Sequence, residues 1–120
     1  MFGATPVFPG EWLSVEAFRH LELLREKARR VVQADRVRLQ SFLAEQAAFR
    51  AVPADWGTTC FVKLLRGSVD PFLERLRRDF DTSAVPGRFF ESPEWVRVGM
   101  GVDSTMFAEG LARLARALNP

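Results

Sequence analysis

The sequence predicts a small two-layer α/β domain with a long N-terminal helix, about three short strands and two further helices packed on the sheet. Apolar residues recur at three- and four-residue spacing over three segments, which is typical of amphipathic helices. Shorter runs rich in β-branched and aromatic residues lie between these segments, bounded by proline and glycine. With 120 residues, 48% hydrophobic and 27% charged, the chain is long enough for one such domain with its own core.

The first twelve residues are predicted to be an irregular lead, and residues 13–120 the folded domain. Proline and glycine interrupt the lead repeatedly, which disfavours regular structure there. They stand at Gly3, Pro6, Pro9 and Gly10. The lead has neither a basic opening nor a long apolar run, so a signal peptide is not expected.

A long amphipathic helix is predicted next, either as one helix or as two joined near Ala34, ending at about Gln46. Ser14 is its predicted N-cap, and Glu16 is favourable in the first turn. Apolar side chains recur along it at helical spacing, at Phe18, Leu21, Leu24, Ala28, Val31, Val32, Leu39, Phe42 and Leu43.

Extended segments are predicted from Thr58 to Leu65, from Ser83 to Val85 and from about Trp95 to Met100. A helix is predicted to begin at Asp70-Pro71, as N-cap and first helical residue. Its buried face comprises Phe72, Leu73, Leu76 and Phe80.

The last helix is predicted to be capped by Asp103 or Ser104 and supported by an i,i+4 pair between Glu109 and Arg113. Its apolar stripe comprises Phe107, Leu111, Leu114 and Leu118.

Arg97 is the main candidate for function, because it is a lone charge in an otherwise apolar predicted strand. Charges are rarely buried without a partner. Strand alternation places Val96 and Val98 on one face and Arg97 beside Gly99 on the other. The glycine leaves room for a ligand, and the guanidinium can bind a carboxylate through two parallel hydrogen bonds. A salt bridge to an acidic neighbour explains the residue equally well, and the available acids are Glu91, Glu94 and Asp103.

Other chemistries receive less support from the sequence. Cys60 is the single cysteine and His20 the single histidine, so neither a disulfide nor a metal site is expected. Cys60 is interpreted as a small core residue and His20 as a solvent-facing or half-buried helix residue. No stretch is long and apolar enough for a membrane span. A reducing, cytoplasmic location fits this composition best.

Nucleic-acid binding is not expected either, because the net charge is only +2. Arginines concentrate on the long helix, but acidic residues alternate with them and no recognition motif accompanies them. A solvated helix face is the preferred interpretation of Arg25, Lys27, Arg29, Arg30, Arg36 and Arg38.

Three segments in order resemble the C-terminal small domain of class I/II aminotransferases, the fold type I enzymes that use pyridoxal phosphate. They are Val85-Pro86-Gly87-Arg88-Phe89-Phe90, then Trp95 to Gly101, then Phe107 to Leu114. That family has a proline-glycine turn followed by an aromatic residue, an arginine in a short apolar strand, and a helix with Glu-Gly-Leu. The resemblance extends upstream, since the long helix is similar to the family's interdomain helix. It covers roughly residues 13–119.

The resemblance implies that Arg97 binds the α-carboxylate of an amino acid or keto acid substrate. Phe89 and Phe90 are expected to line or support the mouth of the substrate site, although core packing explains at least one of them equally well. It also implies that pyridoxal phosphate is bound in the full-length enzyme by a large domain absent from this chain. No catalytic, cofactor-binding or metal-binding residue is therefore assigned here, and the chain is expected to be inactive alone. The parent enzyme is expected to be a homodimer. A non-enzymatic binding or interaction module derived from the same domain is the alternative.

Overall fold

The computed structural model describes residues 8–52 and 55–118. The chain divides into two compact units, Met1–Arg30 and Val31–Pro120. Helices, strands and one 3₁₀ helix follow in the order α1 (Phe8–Arg19), α2 (Leu21–Glu45), β1 (Phe49–Ala51), β2 (Thr59–Leu64), α3 (Val69–Phe80), β3 (Val85–Pro86), the 3₁₀ helix (Gly87–Phe90), β4 (Trp95–Gly99) and α4 (Ser104–Leu118). The predicted fold class, a small α/β domain with helices packed on a sheet, is confirmed.

The start of the chain differs from the prediction of an irregular lead through residue 12. Helix α1 begins at Phe8, so its first turn contains Pro9 and Gly10. Proline is tolerated there because first-turn N–H groups need no intrahelical partner. Ser14 lies inside this helix and is not its N-cap, since its hydroxyl donates a 2.8 Å hydrogen bond to the carbonyl of Gly10. The earlier predicted lead positions, residues 1–7, lie outside the described residues.

The helical segment is divided at His20 and not near Ala34. His20 forms a turn in which its amide donates to the carbonyl of Ala17 at 3.1 Å. Helix α2 then continues without interruption through residue 34 to Glu45. The possible division near Ala34 was predicted because the polar residues Asp35 and Arg36 follow it. In the structure these two side chains are buried within the helix-packed larger unit, and the helix is not interrupted.

The sheet has four antiparallel strands in the order β1-β2-β4-β3, one more than predicted. Strand β1 was missed because its three residues, Phe-Arg-Ala, are too few to show alternation. It exists through its pairing with β2, in which Phe49 lies opposite Leu64. The predicted strands at residues 58–65 and 95–100 correspond to β2 and β4 within one residue at each end.

The buried residues of the last two helices lie on the apolar faces predicted for them. Helix α3 starts slightly earlier than predicted, at Val69, with Ser68 and not Asp70 at the N-cap position. Asp103 is the cap of α4, since one carboxylate oxygen accepts hydrogen bonds from the amides of Thr105 at 3.0 Å and Met106 at 3.1 Å.

One face of the sheet packs against α3, α4 and the second half of α2. The buried residues of this core are Leu39, Phe49, Val62, Leu64, Val69, Phe72, Leu76, Val96, Met100, Phe107, Leu111, Leu114 and Ala117. Val96 is fully buried and Arg97 half-buried, so β4 alternates as the sequence predicts. The side chains between the buried ones, including Phe61, Lys63, Trp95 and Arg97, point to the opposite face. We call this opposite side the arginine face.

Within residues 8–52 and 55–118, no helix is long and apolar enough to cross a membrane.

Candidate functional site

Arg97 lies at the middle of β4, paired on both sides. Arg97 stands opposite Phe61 of β2 and opposite Val85 of β3. Val85 and Arg97 form one of the two residue pairs between β3 and β4, and the other is Pro86 with Val96. Backbone pairing on both sides fixes the position of the Arg97 Cα atom. The half-buried side chain projects from the arginine face.

The Arg97 guanidinium packs on an aromatic ring. Its Cζ atom lies 4.9 Å from the centre of the Phe90 ring. Phe90 in turn meets Phe61 edge-on, with ring centres 5.4 Å apart and an interplanar angle of 88°. A cation over an aromatic face is attracted by the ring quadrupole, and the stacked guanidinium keeps its N–H edge available for hydrogen bonds. The ring contact therefore orients the guanidinium without using its N–H groups as hydrogen-bond donors.

The acidic residues that could have neutralised Arg97 are engaged elsewhere or lie out of reach. Glu94 forms an ion pair with Lys63, with 2.6 Å between Nζ and Oε2. Asp103 caps α4. Among the described residues, Arg97 forms no ion pair within 4.0 Å with these two or with Glu91. The salt-bridge interpretation of Arg97 is therefore not supported.

The two predicted aromatic site residues have different surroundings. Phe90 contacts Arg97, as described above, and is 43% exposed. Phe89 is 67% exposed and packs against the guanidinium of Arg88, whose Cζ lies 4.9 Å from its ring centre. Arg88 is also ion-paired with Asp70. The structure thus brings Arg97 and Phe90 together and places Phe89 beside a different arginine.

A tight turn places Phe90 next to Arg97. Gly87 is buried where β3 becomes the 3₁₀ helix, and a Cβ atom at this position would overlap the carbonyl oxygens of Ser92 and Trp95. The amide of Ser92 donates to the Gly87 carbonyl at 3.0 Å. Only glycine fits such a close backbone approach. The Pro-Gly turn that the sequence singled out is therefore required by the packing of the loop on β4.

Two buried charged residues, Asp35 and Arg36 of α2, lie near the other end of β4, and their burial was not predicted from the sequence. Asp35 is fully buried, and its carboxylate accepts a 2.8 Å hydrogen bond from the amide of Gly101. Arg36 donates a 2.8 Å hydrogen bond to the carbonyl of Gly57, just before β2. Between them, the Met100 amide donates to Thr58 at 2.7 Å. These bonds tie α2 to the ends of the two central strands.

Arg36 had been assigned to a solvated helix face, and that assignment is wrong, because the residue is buried. A signal was available, because Asp35 falls midway between Val31 and Leu39 in the apolar i,i+4 series. A charge on the core stripe of a helix indicates a buried partner. Most of the remaining arginines do lie on solvated faces, and Arg25 and Arg30 pair with Glu22 and Glu26.

Cys60 takes the position expected of it, whereas His20 is exposed but lies in the turn between α1 and α2 and not within a helix. Cys60 packs against the core, and burial raises the pKa of its thiol while the nearby Arg36 guanidinium opposes the shift. A thiol disfavoured as thiolate is a poor nucleophile. His20 is exposed and lies 3.1 Å from a carboxylate oxygen of Glu16. No group of three side chains suited to a metal ion occurs in the part of the chain that the structure describes.

The residues present do not fit a complete pyridoxal-phosphate site. The chain has two lysines. Lys63 is held by Glu94 on the arginine face, and Lys27 belongs to the other unit. The described residues of this site are an arginine and an aromatic wall, and neither kind of side chain can form a Schiff base.

Solved structures that share this fold are pyridoxal-phosphate-dependent aminotransferases, so the resemblance predicted from the sequence is confirmed for the fold. A PLP-dependent aminotransferase from Streptococcus suis 89-1591 superposes with a TM-score of 0.88 at 21% identity, over 92% of this chain and 30% of that chain. Aspartate aminotransferase from Thermotoga maritima gives a TM-score of 0.68 at 24% identity, over 76% of this chain and 24% of its own.

A third similar structure is LysN, an α-aminoadipate aminotransferase from Thermus thermophilus, complexed with N-(5'-phosphopyridoxyl)-L-leucine. It has a TM-score of 0.68 at 26% identity, over 88% of this chain and 28% of that chain. The present chain thus spans less than a third of the length of each of these structures. No protein-family model and no curated protein matches the sequence.

Proposed function

We propose that this chain is the C-terminal small domain of a fold type I aminotransferase and that Arg97 binds the α-carboxylate of the substrate. The observation that carries this proposal is the state of Arg97. Its guanidinium is half-buried and held against Phe90, and it forms no ion pair with the acidic residues near it in the described chain. An arginine that is fixed but not neutralised is suited to an anionic ligand.

The reaction of an amino acid substrate requires its carboxylate to be held in a fixed orientation, which the Arg97 guanidinium could provide. A bidentate guanidinium–carboxylate contact fixes both the position and the orientation of the carboxylate. That orientation decides which bond at Cα is aligned for reaction, so a fixed arginine contributes to the rate as well as to binding. Phe90 supports the guanidinium from one side, and we propose that Phe89 contributes to the mouth of the same site.

Pyridoxal phosphate would supply the electron sink for amino group transfer, and we propose that it is bound by a separate large domain. Of the two lysines of this chain, Lys63 is ion-paired with Glu94 and Lys27 belongs to the other unit. The chain alone is therefore expected to bind a carboxylate without catalysing transamination. A cytoplasmic location and a homodimeric parent enzyme belong to the same proposal.

The first unit has the surface expected for contact with a further domain. Helix α1 contains no buried residue among those described. Large apolar side chains are exposed on it and on the start of α2, at Phe8, Trp12, Leu13, Val15, Phe18, Leu21, Leu23 and Leu24. An apolar surface of this kind is typical of an interface. We propose that it packs against the large domain.

Calorimetric titration of the 120-residue chain with pyruvate tests the carboxylate assignment. The expected dissociation constant is on the order of millimolar, because one bidentate charged contact contributes only about 4 kcal/mol or less net of association costs. Arg97→Gln should abolish this binding, and Arg97→Lys should weaken it. Arg88→Gln is the matched control, since it removes another aromatic-stacked arginine. Equal affinity of the wild type and Arg97→Gln would refute the proposal.

In an intact enzyme that contains this domain, Arg97→Ala should lower kcat/KM for an α-amino acid donor by at least about two orders of magnitude. An unchanged kcat/KM would remove Arg97 from the substrate site.

A further inference from the structure

Four half-buried side chains form a two-by-two block on the arginine face. Phe61 of β2 lies opposite Arg97 of β4, and Lys63 lies opposite Trp95 two residues along each strand. The two charged residues therefore occupy one diagonal of the block, and the two aromatic residues occupy the other. Diagonal neighbours on one face of a sheet lie about 7–8 Å apart, which long side chains can span. Lys63 is thus a cation within reach of a ligand that Arg97 binds.

The two cations of this block differ in their acidic partners. The Lys63 ammonium forms an ion pair with Glu94, with 2.6 Å between Nζ and Oε2. Arg97 forms no ion pair with the acidic residues near it in the described chain, and its guanidinium packs on the Phe90 ring. A ligand carboxylate at Arg97 therefore meets an uncompensated positive charge. A carboxylate at Lys63 meets a cation that already has a partner.

Glu94 is held at the start of β4 by the backbone. Its carbonyl accepts a 2.9 Å hydrogen bond from the amide of Leu64, the residue that follows Lys63 in β2. The next residue, Trp95, donates its own amide to the carbonyl of Ser92 at 2.9 Å. The Glu94 side chain is 64% exposed, so a ligand that approaches Lys63 also encounters the negative charge of this carboxylate.

The charges of the block distinguish between two kinds of ligand side chain. A second carboxylate placed near Lys63 is attracted by the ammonium and repelled by Glu94 at similar distance, so the two effects largely cancel. An uncharged side chain instead meets the rings of Phe61 and Trp95 and gains apolar contact. Arg50, opposite Lys63 on β1, lies one strand further from Arg97.

We infer that Glu94 is a specificity-determining residue. By holding Lys63, it makes the arginine face select 2-oxo and 2-amino acids with a single carboxylate over dicarboxylic acids of the same length. This inference rests on the proposed function, because it requires the first carboxylate to be bound at Arg97.

Calorimetric titrations with 2-oxopentanoate and 2-oxoglutarate test the inference, because the two acids have the same chain length and differ in the second carboxylate. The wild type should bind 2-oxoglutarate no more tightly than 2-oxopentanoate. Glu94→Gln leaves Lys63 without its acidic partner and should raise the affinity for 2-oxoglutarate relative to 2-oxopentanoate at least about threefold, as expected from one ion pair near the surface.

Two further variants separate the release of Lys63 from a general change of charge. Glu91→Gln removes the same charge from an exposed residue of the same loop and should leave the affinity ratio of the two acids unchanged. Adding Lys63→Gln to Glu94→Gln removes the released cation and should return the ratio to its wild-type value.

Three results would overturn the inference. They are a wild-type preference for 2-oxoglutarate of several-fold, an affinity ratio that does not change in Glu94→Gln, and a change in Glu91→Gln or in the double variant as large as that in Glu94→Gln. All three leave the proposed function intact as long as Arg97→Gln abolishes binding of 2-oxopentanoate. Binding of 2-oxopentanoate that survives Arg97→Gln, or its absence in the wild type, would instead refute the proposed function.

Discussion

The carboxylate of Asp35, in the middle of helix α2, accepts a 2.8 Å hydrogen bond from the backbone amide of Gly101 at the end of β4. The two residues are 66 positions apart in the chain, and Asp35 is fully buried. The same carboxylate lies 3.5 Å from the Ser104 hydroxyl, at the start of α4. One side chain therefore joins α2, the arginine-bearing strand and the last helix.

Replacing Asp35 should destabilise the chain strongly. Asp35→Ala removes the charged acceptor of the Gly101 amide and is expected to cost about 2 kcal/mol. Asp35→Asn keeps an acceptor oxygen and should cost about half as much. Urea unfolding measures both, and Asp79→Ala is the control because that carboxylate is exposed and pairs with its neighbour Arg78. A cost for Asp35→Ala no larger than for Asp79→Ala would contradict the role assigned to this bond.

Gly87→Ala should lower stability by about 2–3 kcal/mol, because the new Cβ atom overlaps two backbone carbonyl oxygens that cannot move like flexible side chains. Gly57→Ala is an instructive comparison, since Gly57 has a positive φ of 90° but open space around its Cβ position. Its cost should be smaller and due to backbone strain alone. The free energy of unfolding of both variants distinguishes overlap from strain. Equal costs would indicate that the loop at Gly87 relaxes freely.

The Cys60 thiol should react slowly and titrate above its ordinary range. Burial raises its pKa, so the folded chain disfavours the thiolate. The pH midpoint of iodoacetamide alkylation should therefore lie higher in the folded chain than in urea. The unfolded chain releases this proton at lower pH than the folded chain, so the free energy of unfolding falls as pH rises from the unfolded pKa of the thiol to its higher folded pKa. Cys60→Ala should remove that part of the alkaline loss. An equal or lower midpoint in the folded chain would contradict the assignment of Cys60 to the core.

Phe90→Ala should weaken binding of pyruvate several-fold by releasing the Arg97 guanidinium from its aromatic support, since cation–π contacts contribute about 1 kcal/mol at partly exposed sites. Calorimetric titration measures the change. Phe89→Ala tests the neighbouring residue, whose ring packs on Arg88. A larger loss for Phe89→Ala than for Phe90→Ala would reverse the roles that the structure suggests for the two rings.

Much of the larger unit could be predicted from the sequence because its elements carry strong periodic signals. Alternation around Arg97 identified which residues of β4 face the core, and the stripe of α4 from Phe107 to Leu114 identified its buried side. Local chemistry also predicted the Asp103 cap, since side-chain capping depends only on residues within the same turn.

The elements that were missed depend on tertiary contacts. Strand β1 is defined by its pairing with β2 and not by its own three residues. The buried state of Asp35 depends on the Gly101 amide, which no local pattern reveals.

The central claim is that the Arg97 guanidinium binds a carboxylate, and the resonance of its own Nε–Hε group tests this most directly. In ¹H–¹⁵N spectra of the chain, assigned by comparison with Arg97→Lys, addition of pyruvate should shift the Arg97 Hε signal downfield in a saturable way. The Arg88 signal should remain in place, since that guanidinium is already paired with Asp70. A stationary Arg97 signal at pyruvate concentrations that saturate other resonances would show that the carboxylate binds elsewhere and would contradict the account.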